Sequence, residues 1–408
     1  MQAAEADAPR QSLRCLLLYA LAAAGGAVAY VPFLSLLLPL RVMAMTDSGQ
    51  VAWLGTITFS GAVAASLGHI AFGWLSDVTR TRRSWIAAGL ALTCLLLLAV
   101  TQVRSLPMMI GVVVIWQFAL NMMLGPLAAW AGDCVPDGQK GLLGGLLAFA
   151  PALGALAGAL VTIRGLAGPD ERLALVAVLV VCMVLPVLLF GAPRPMPQLM
   201  EPVARQADGE SGLERRREAS VRMWFARLLV QVAEAALAAY LLFWLATVDA
   251  RIGDAETARV YSVVLGVAVL VALLLGRWSD RLGRPILPLV ACAFLASAGL
   301  LVMALAQSLG MAVAGYVLFG LNASVFLALH AGQTLRVLPR PERRGRDLGV
   351  FNLTNTVPQV VMPGLALALV PRFGFDALFL LLAALAIMAG ALLATMPRVG
   401  AVDIRRPI

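Results

Sequence analysis

The chain has 408 residues, 61% of them hydrophobic and only 13% charged, and a formal net charge of +9. Soluble proteins carry about 25% charged residues, so this composition excludes a chain that lives mostly in water. Five widely spaced cysteines and two histidines offer neither a disulfide framework nor a zinc site, and the arginines fall in short breaks between apolar runs, where they require no nucleic-acid partner.

A bilayer core roughly 30 Å thick takes about 20 apolar residues per helix. On that scale the predicted spans run 15–40, 51–75, 85–103, 107–130, 141–162 and 172–191, then 223–248, 259–277, 285–306, 309–333, 346–370 and 375–396. The first span is longer than the 7–15-residue apolar core of a secretory signal and is expected to be retained. Residues 1–191 therefore form one six-helix bundle and 222–408 a second. Residues 192–221 form a linker rich in Pro, Arg and Glu, with room for a short amphipathic helix near 211–221. An even number of spans leaves both termini on one side. That side holds 23 of the 31 basic residues against seven opposite, with Arg227 inside a span, so the termini are expected in the cytoplasm.

The chain is written twice. Gly73 and Asp77 of "GWLSD" recur as Gly276 and Asp280 of "GRWSD", 203 residues on, and Pro136 in "GDCVPDGQKG" recurs at the same interval as Pro339 in "RVLPRPERRG". Two independent landmarks at one period indicate duplicated six-helix halves, a construction common among transporters. A small residue such as glycine lets two helices approach closely. An aspartate beside it can cap a neighbouring helix or pair with an arginine. The alternative is that both turns are ordinary helix stops.

These stretches resemble the major facilitator superfamily, whose loop after the second span runs Gly, three residues, Asp, a basic residue, any residue, Gly, then two basic residues. The second copy follows this through Gly276, Asp280, Arg281, Gly283 and Arg284, with Pro285 in place of the last base. In the first copy Val78 takes the basic position and the second glycine is missing, while Arg80, Arg82 and Arg83 give an extended "SDVTRTRR" form. That form, together with "DCVPDGQKG" and "RDLGVFNLTNTVPQ", is similar to the branch of glycoside– and sugar–cation symporters. The resemblance covers essentially the whole chain. It implies an all-α membrane protein of 12 transmembrane helices in two pseudo-twofold-related bundles. It also implies a gating set of Gly73, Asp77, Arg80, Arg83, Gly276, Asp280, Arg281, Gly283 and Arg284 that holds the cytoplasmic side closed, with Asp133 in the motif turn beside Pro136 and Gln139.

A charge inside a span is costly and is therefore a functional candidate. Arg227, Gln231 and Glu234 of the seventh span share one helical face. Arg227 and Glu234 stand two turns, roughly 10 Å, apart, too far for an ion pair within the helix. Desolvation favours the neutral form of a carboxyl, so Glu234 is the candidate proton carrier. Substrate binding and structural pairing are the alternatives for Glu234, and snorkelling to the membrane surface the alternative for Arg227. Weaker candidates are Gln117 and Asn121 on the fourth span and Tyr30 and Ser35 on the first. Asn322 on the tenth joins them, with Asn352, Asn355 and Gln359 on one face of the eleventh; each equally suits helix–helix hydrogen bonding. His69 and His330 carry no ligand role in this reading. The small residues of the fifth span, including Gly154 and Gly158, suit close helix packing, with or without a part in the seam between halves.

No catalytic or nucleotide-binding motif is present, so the chain is expected not to be an enzyme and to need no cofactor. The expected activity is secondary transport of a small polar solute, sugar- or glycoside-like, with protons. The expected setting is a monomeric multi-pass protein of a plasma membrane, such as a bacterial inner membrane. Proton-driven export of an amphiphile and a non-transporting sensor or delivery protein are the competing readings.

Overall fold

The computed structural model describes residues 10–200, 209–249 and 254–397, and among these every regular element is helical. The first half contains α1 (Leu13–Met45), α2 (Gln50–Thr79), α3 (Arg82–Ala99), α4 (Leu106–Cys134), α5 (Asp137–Val161) and α6 (Glu171–Phe190). The second contains α7 (Gly209–Val248), α8 (Asp254–Leu282), α9 (Leu287–Ala304), α10 (Leu309–Val337) and α11 (Arg344–Ala394). Eleven helices among the described residues are long and apolar enough to cross a membrane. The last is broken at Gly374, whose φ of 76° and ψ of 178° are not helical, and so divides into legs 344–373 and 375–394. Residues 209–221 are helical as expected, but as the opening turns of the continuous 40-residue α7 rather than as a separate helix.

The internal repeat is visible in the caps. Ser105 starts α4 by accepting the backbone N–H of Met108, and Ser308, 203 residues later, starts α10 by accepting that of Met311, both at 3.4 Å. Both helices then run 29 residues. At the same interval, α2 ends at Arg80 and α8 near Gly283, and both residues adopt the left-handed conformation, with φ of 54° and 63°. The glycine missing from the first motif copy is thus replaced by an arginine bent into the backbone shape that glycine takes without strain.

Each half packs in the same pattern, α2 and α3 on α4 in the first, α8 and α9 on α10 in the second. The halves meet along two crossed contacts, α2 against the first leg of α11 and α5 against α8. Exchanging the halves converts one contact into the other, as expected of an isologous interface. The halves share one continuous apolar core, to which each contributes an edge-on aromatic pair, Phe33 with Trp116 and Trp244 with Phe379, both with ring centroids 4.8 Å apart. Gly154 and Gly158 face α1 within the first half, whereas Gly141, Gly144 and Gly145 of the same helix meet α8 and α10 across the seam.

Candidate functional site: a gated central cavity

Gln11 and Thr395, near the two limits of the described residues, lie at the same end of the bundle. Gln11 bonds the carbonyls of Cys134 and Arg194, and Arg222 bonds Thr395. At this arginine-rich end the seam between halves is closed by two matching networks. In one, Asp77 accepts hydrogen bonds from the backbone N–H groups of Gly345 (3.0 Å) and Arg346 (2.9 Å), at the N-terminus of α11. In the other, Asp280 accepts from Gly141 (3.0 Å) and Leu142 (2.9 Å), near the start of α5. The opening N–H groups of a helix have no partner within it and carry the positive end of its dipole. A carboxylate there makes short, charge-assisted bonds.

An arginine completes each network. Arg82 pairs with Asp77 at 2.6 Å and with Asp133 at 3.0 Å, and Asp133 reaches across the seam to Arg344 at 2.6 Å. Arg336 pairs with Asp280 at 2.7 Å, while Lys140 bridges Asp137 (2.6 Å) and the carbonyl of Leu335 (3.1 Å). The carboxylates are almost fully sequestered, with the Asp77 side chain 3% and that of Asp280 8% exposed. Gly73 and Gly276 sit one turn before each aspartate, and a Cβ on either would overlap the backbone carbonyl of Gly345 or of Gly141. The close approach that brings each carboxylate to the facing helix start therefore requires glycine. Three turns deeper, Ser66 and Thr356 share a 2.8 Å hydrogen bond across the same α2–α11 seam.

The arginines taken from the family pattern are not the ones in these networks. Arg80 is exposed and serves the left-handed turn, and Arg83 donates to the carbonyl of Leu188 on α6. Arg281, Gly283 and Arg284 are exposed around the turn after α8. Arg82, Arg336, Arg344 and Lys140 take the pairing roles. One signal for them was present: Asp133 and Arg336 are 203 residues apart, opposite charges at equivalent positions of the two copies.

Inward of the networks is a cavity of about 160 Å³ lined from both halves, by Tyr19 and His69 of the first and by Arg227, Thr334, Asn352 and Asn355 of the second. Arg227 does not snorkel. One terminal nitrogen, Nη1, donates to the carbonyl of Leu327 at 3.2 Å and meets Nδ1 of His330 at 3.5 Å, and Nη2 donates to Oδ1 of Asn355 at 3.2 Å. Asn355 in turn donates to Asn352 (2.9 Å). His330 bonds the carbonyl of Met223 through Nε2 at 3.0 Å. A carbonyl can only accept, so the ring proton is on Nε2 and Nδ1 is an acceptor.

Glu234 lies apart from that cavity. Its Oε2 accepts from Gln231 Nε2 at 2.9 Å, and it borders a small void of about 30 Å³ with Tyr261 of α8 and Tyr316 of α10. Tyr30 approaches from the first half, within electrostatic range of the carboxyl. Tyr261 and Tyr316 carried no sequence signal that set them apart from other interfacial aromatics.

Of the weaker candidates, Asn352 and Asn355 join Arg227 at the cavity, and the rest do not converge. Asn121 is buried, bonded to Nδ1 of His69 (3.0 Å) and to the carbonyl of Gln117 (2.9 Å). Gln117 is likewise buried, with its side chain against Gly61 of α2. Asn322 is satisfied by its own helix at the carbonyl of Leu318. Gln359 is exposed and joins no hydrogen bond among the described residues, and Ser35 lies in the π-turn Phe33–Leu37 of α1, just past Pro32.

Comparison with known proteins agrees with this geometry. The family model of the Major Facilitator Superfamily matches residues 223–405. No curated protein sequence matches the chain. Solved structures similar over nearly its full length include the human organic anion transporter TETRAN (15% identity, TM-score 0.73, covering 93% of this chain and 99% of that one). They also include the E. coli fucose:proton symporter (14%, TM-score 0.72, 95% and 99%). A third is a bacterial homologue of the iron transporter ferroportin in an outward-facing state (14%, TM-score 0.71, 94% and 98%). Helix length and fold together define a multi-pass integral membrane protein with the fold of these transporters. The likeness to the Major Facilitator Superfamily is thus by sequence over the second half of the chain and by fold over its length.

Proposed function

We propose that this protein is a proton-coupled secondary transporter that moves a small polar solute by alternating access. It acts as a monomer of 12 spans in a plasma membrane, such as a bacterial inner membrane, with both termini in the cytoplasm. Counting the two legs of α11 separately supports twelve spans, and the excess of arginine at the end holding the termini supports the orientation. The carrying observation is the pair of equivalent aspartate networks at one end of the seam, with a two-sided cavity directly behind them. Contacts made in one state and broken in the other are what a rocking pair of bundles needs. In this state the cytoplasmic mouth is shut.

Glu234 is the proposed proton site. It is a carboxyl within a span, with an amide and tyrosines around it rather than a cationic partner in contact. Exposure to one side and then the other would let it take up and release a proton. The motif resemblance supports a sugar or glycoside as solute. The apolar lining supplied by Leu143, Leu147 and Phe351 favours the second reading, export of an amphiphile.

Reconstituted liposomes separate the readings. Solute-dependent proton movement supports symport and dye efflux supports export, whereas the absence of both leaves only a sensor or delivery role. Glu234→Gln is expected to abolish accumulation driven by an imposed pH gradient while sparing solute exchange. Undiminished uphill uptake by that variant removes Glu234 from the coupling mechanism.

A further inference from the structure

The substrate class follows from what surrounds Arg227, on the proposal above that the two-sided cavity is where solute is carried. The guanidinium has five N–H donors and is always charged. The partners it has are neutral: a backbone carbonyl, an amide oxygen, and a histidine nitrogen that carries no proton. All three contacts are 3.2 Å or longer, beyond the 2.7–2.9 Å of charge-assisted pairs. Among the described residues no Asp or Glu is within ion-pair distance of it; Glu234, roughly 10 Å away along the same helix, acts on it only at long range.

At the seam, every arginine and lysine of the gate networks is matched to a carboxylate at 3.0 Å or less. Arg227 is the exception, and it is also the charged side chain that lines the cavity among the described residues. A cation held at membrane depth with no carboxylate in contact is costly and persists where something pairs with it. The remaining donors form a fork suited to two oxygens of one planar group.

We infer that the transported solute is a small organic carboxylate whose carboxyl group pairs with Arg227 during transport. Asn352 and Thr334, which line the same cavity, can bond hydroxyls on the same solute. A hydroxylated acid such as a sugar acid fits all three. The apolar wall formed by Ala331 and Leu348 covers the remainder of a small molecule.

The test uses the full-length chain purified in detergent. Binding is read by tryptophan fluorescence and thermal shift for acetate, lactate, benzoate and glucuronate, each beside a neutral counterpart (acetamide, propane-1,2-diol, benzamide and glucose). At least one carboxylate is expected to bind tenfold or more tightly than its counterpart, and Arg227→Gln is expected to remove that preference. A second variant, Ala331→Asp, puts a competing carboxylate in the cavity and is expected to weaken carboxylate binding at least tenfold, which answers the question if Arg227→Gln does not fold. Equal binding of acids and neutral analogues by the unmodified protein overturns the inference, as does a preference that survives both substitutions. A protein that carries a neutral solute with protons but prefers no carboxylate would sink this inference and leave the transport reading intact. Tight carboxylate binding with no flux in liposomes would do the reverse.

Discussion

Asp280→Asn probes the gate with the smallest possible change in shape. The carboxylate accepts two backbone N–H bonds and one arginine, and it is 8% exposed. Asparagine keeps one acceptor oxygen, so one N–H bond survives while the other N–H faces an amide donor and Arg336 loses its counter-charge. A hydrogen bond to a charged group contributes about 1.5–3 kcal/mol. With the weakened ion pair, a loss of about 3 kcal/mol from the closed arrangement is a fair order of magnitude. At about 1.4 kcal/mol per factor of ten, the open fraction of the cytoplasmic mouth rises roughly 100-fold. The assay places one cysteine at Ala331, which lines the cavity behind the gate, in a background whose native cysteines are serine. An impermeant maleimide is then applied to inside-out vesicles. Labelling should be at least tenfold faster in the variant, and more in Asp77→Asn/Asp280→Asn than in either single change, because each network closes its own half of the seam. An unchanged rate refutes the latch and leaves Asp280 as a helix stop.

Other expectations test separate parts of the fold. Gly73→Leu should open the same mouth without touching a charge, since its Cβ would overlap the carbonyl of Gly345; cysteine labelling at Ala331 no faster than in the parent would show that the seam yields. Arg80→Gly should raise stability by about 0.5–1 kcal/mol, the left-handed cost for an L-residue less the entropy of glycine; a lower thermal midpoint would assign Arg80 a contact the turn geometry does not require. Gly374→Ala should destabilise by about 1–3 kcal/mol, because φ near 76° with ψ near 178° is open essentially to glycine alone. An unaltered midpoint for that variant would mean that the break relaxes freely.

Much of the fold was legible because each span solves the same local problem, about twenty residues that must bury their own backbone groups and meet lipid outside. The expected start of the fourth span at 107 and of the tenth at 309 lies beside the serine caps at Ser105 and Ser308. Linker residues 211–221 were harder. Their helix is polar, and only its continuation into α7 shows that it extends a span.

Charges at the gate were less legible than the aspartates. Asp77 and Asp280 carry a short motif with a repeat, but "TRTRR" offers three arginines to one turn, and only the path of α3 decides that Arg82 turns inward. Arg344 and Arg336 read as ordinary basic residues of a loop because their partners lie more than 50 residues away in the chain.

The amino-acid sequence by itself determined the membrane setting, the duplication and the seventh-span charges, since hydropathy, period and intramembrane charge are local properties of the chain. Tertiary structure alone decided which cation meets which carboxylate. It also decided that Arg227 faces a cavity shared by both halves while Glu234 turns away toward Tyr261 and Tyr316. Residues two turns apart on one helix share a face in projection, yet what each meets depends on the neighbouring helix at its own depth, and that is set by how the whole bundle packs.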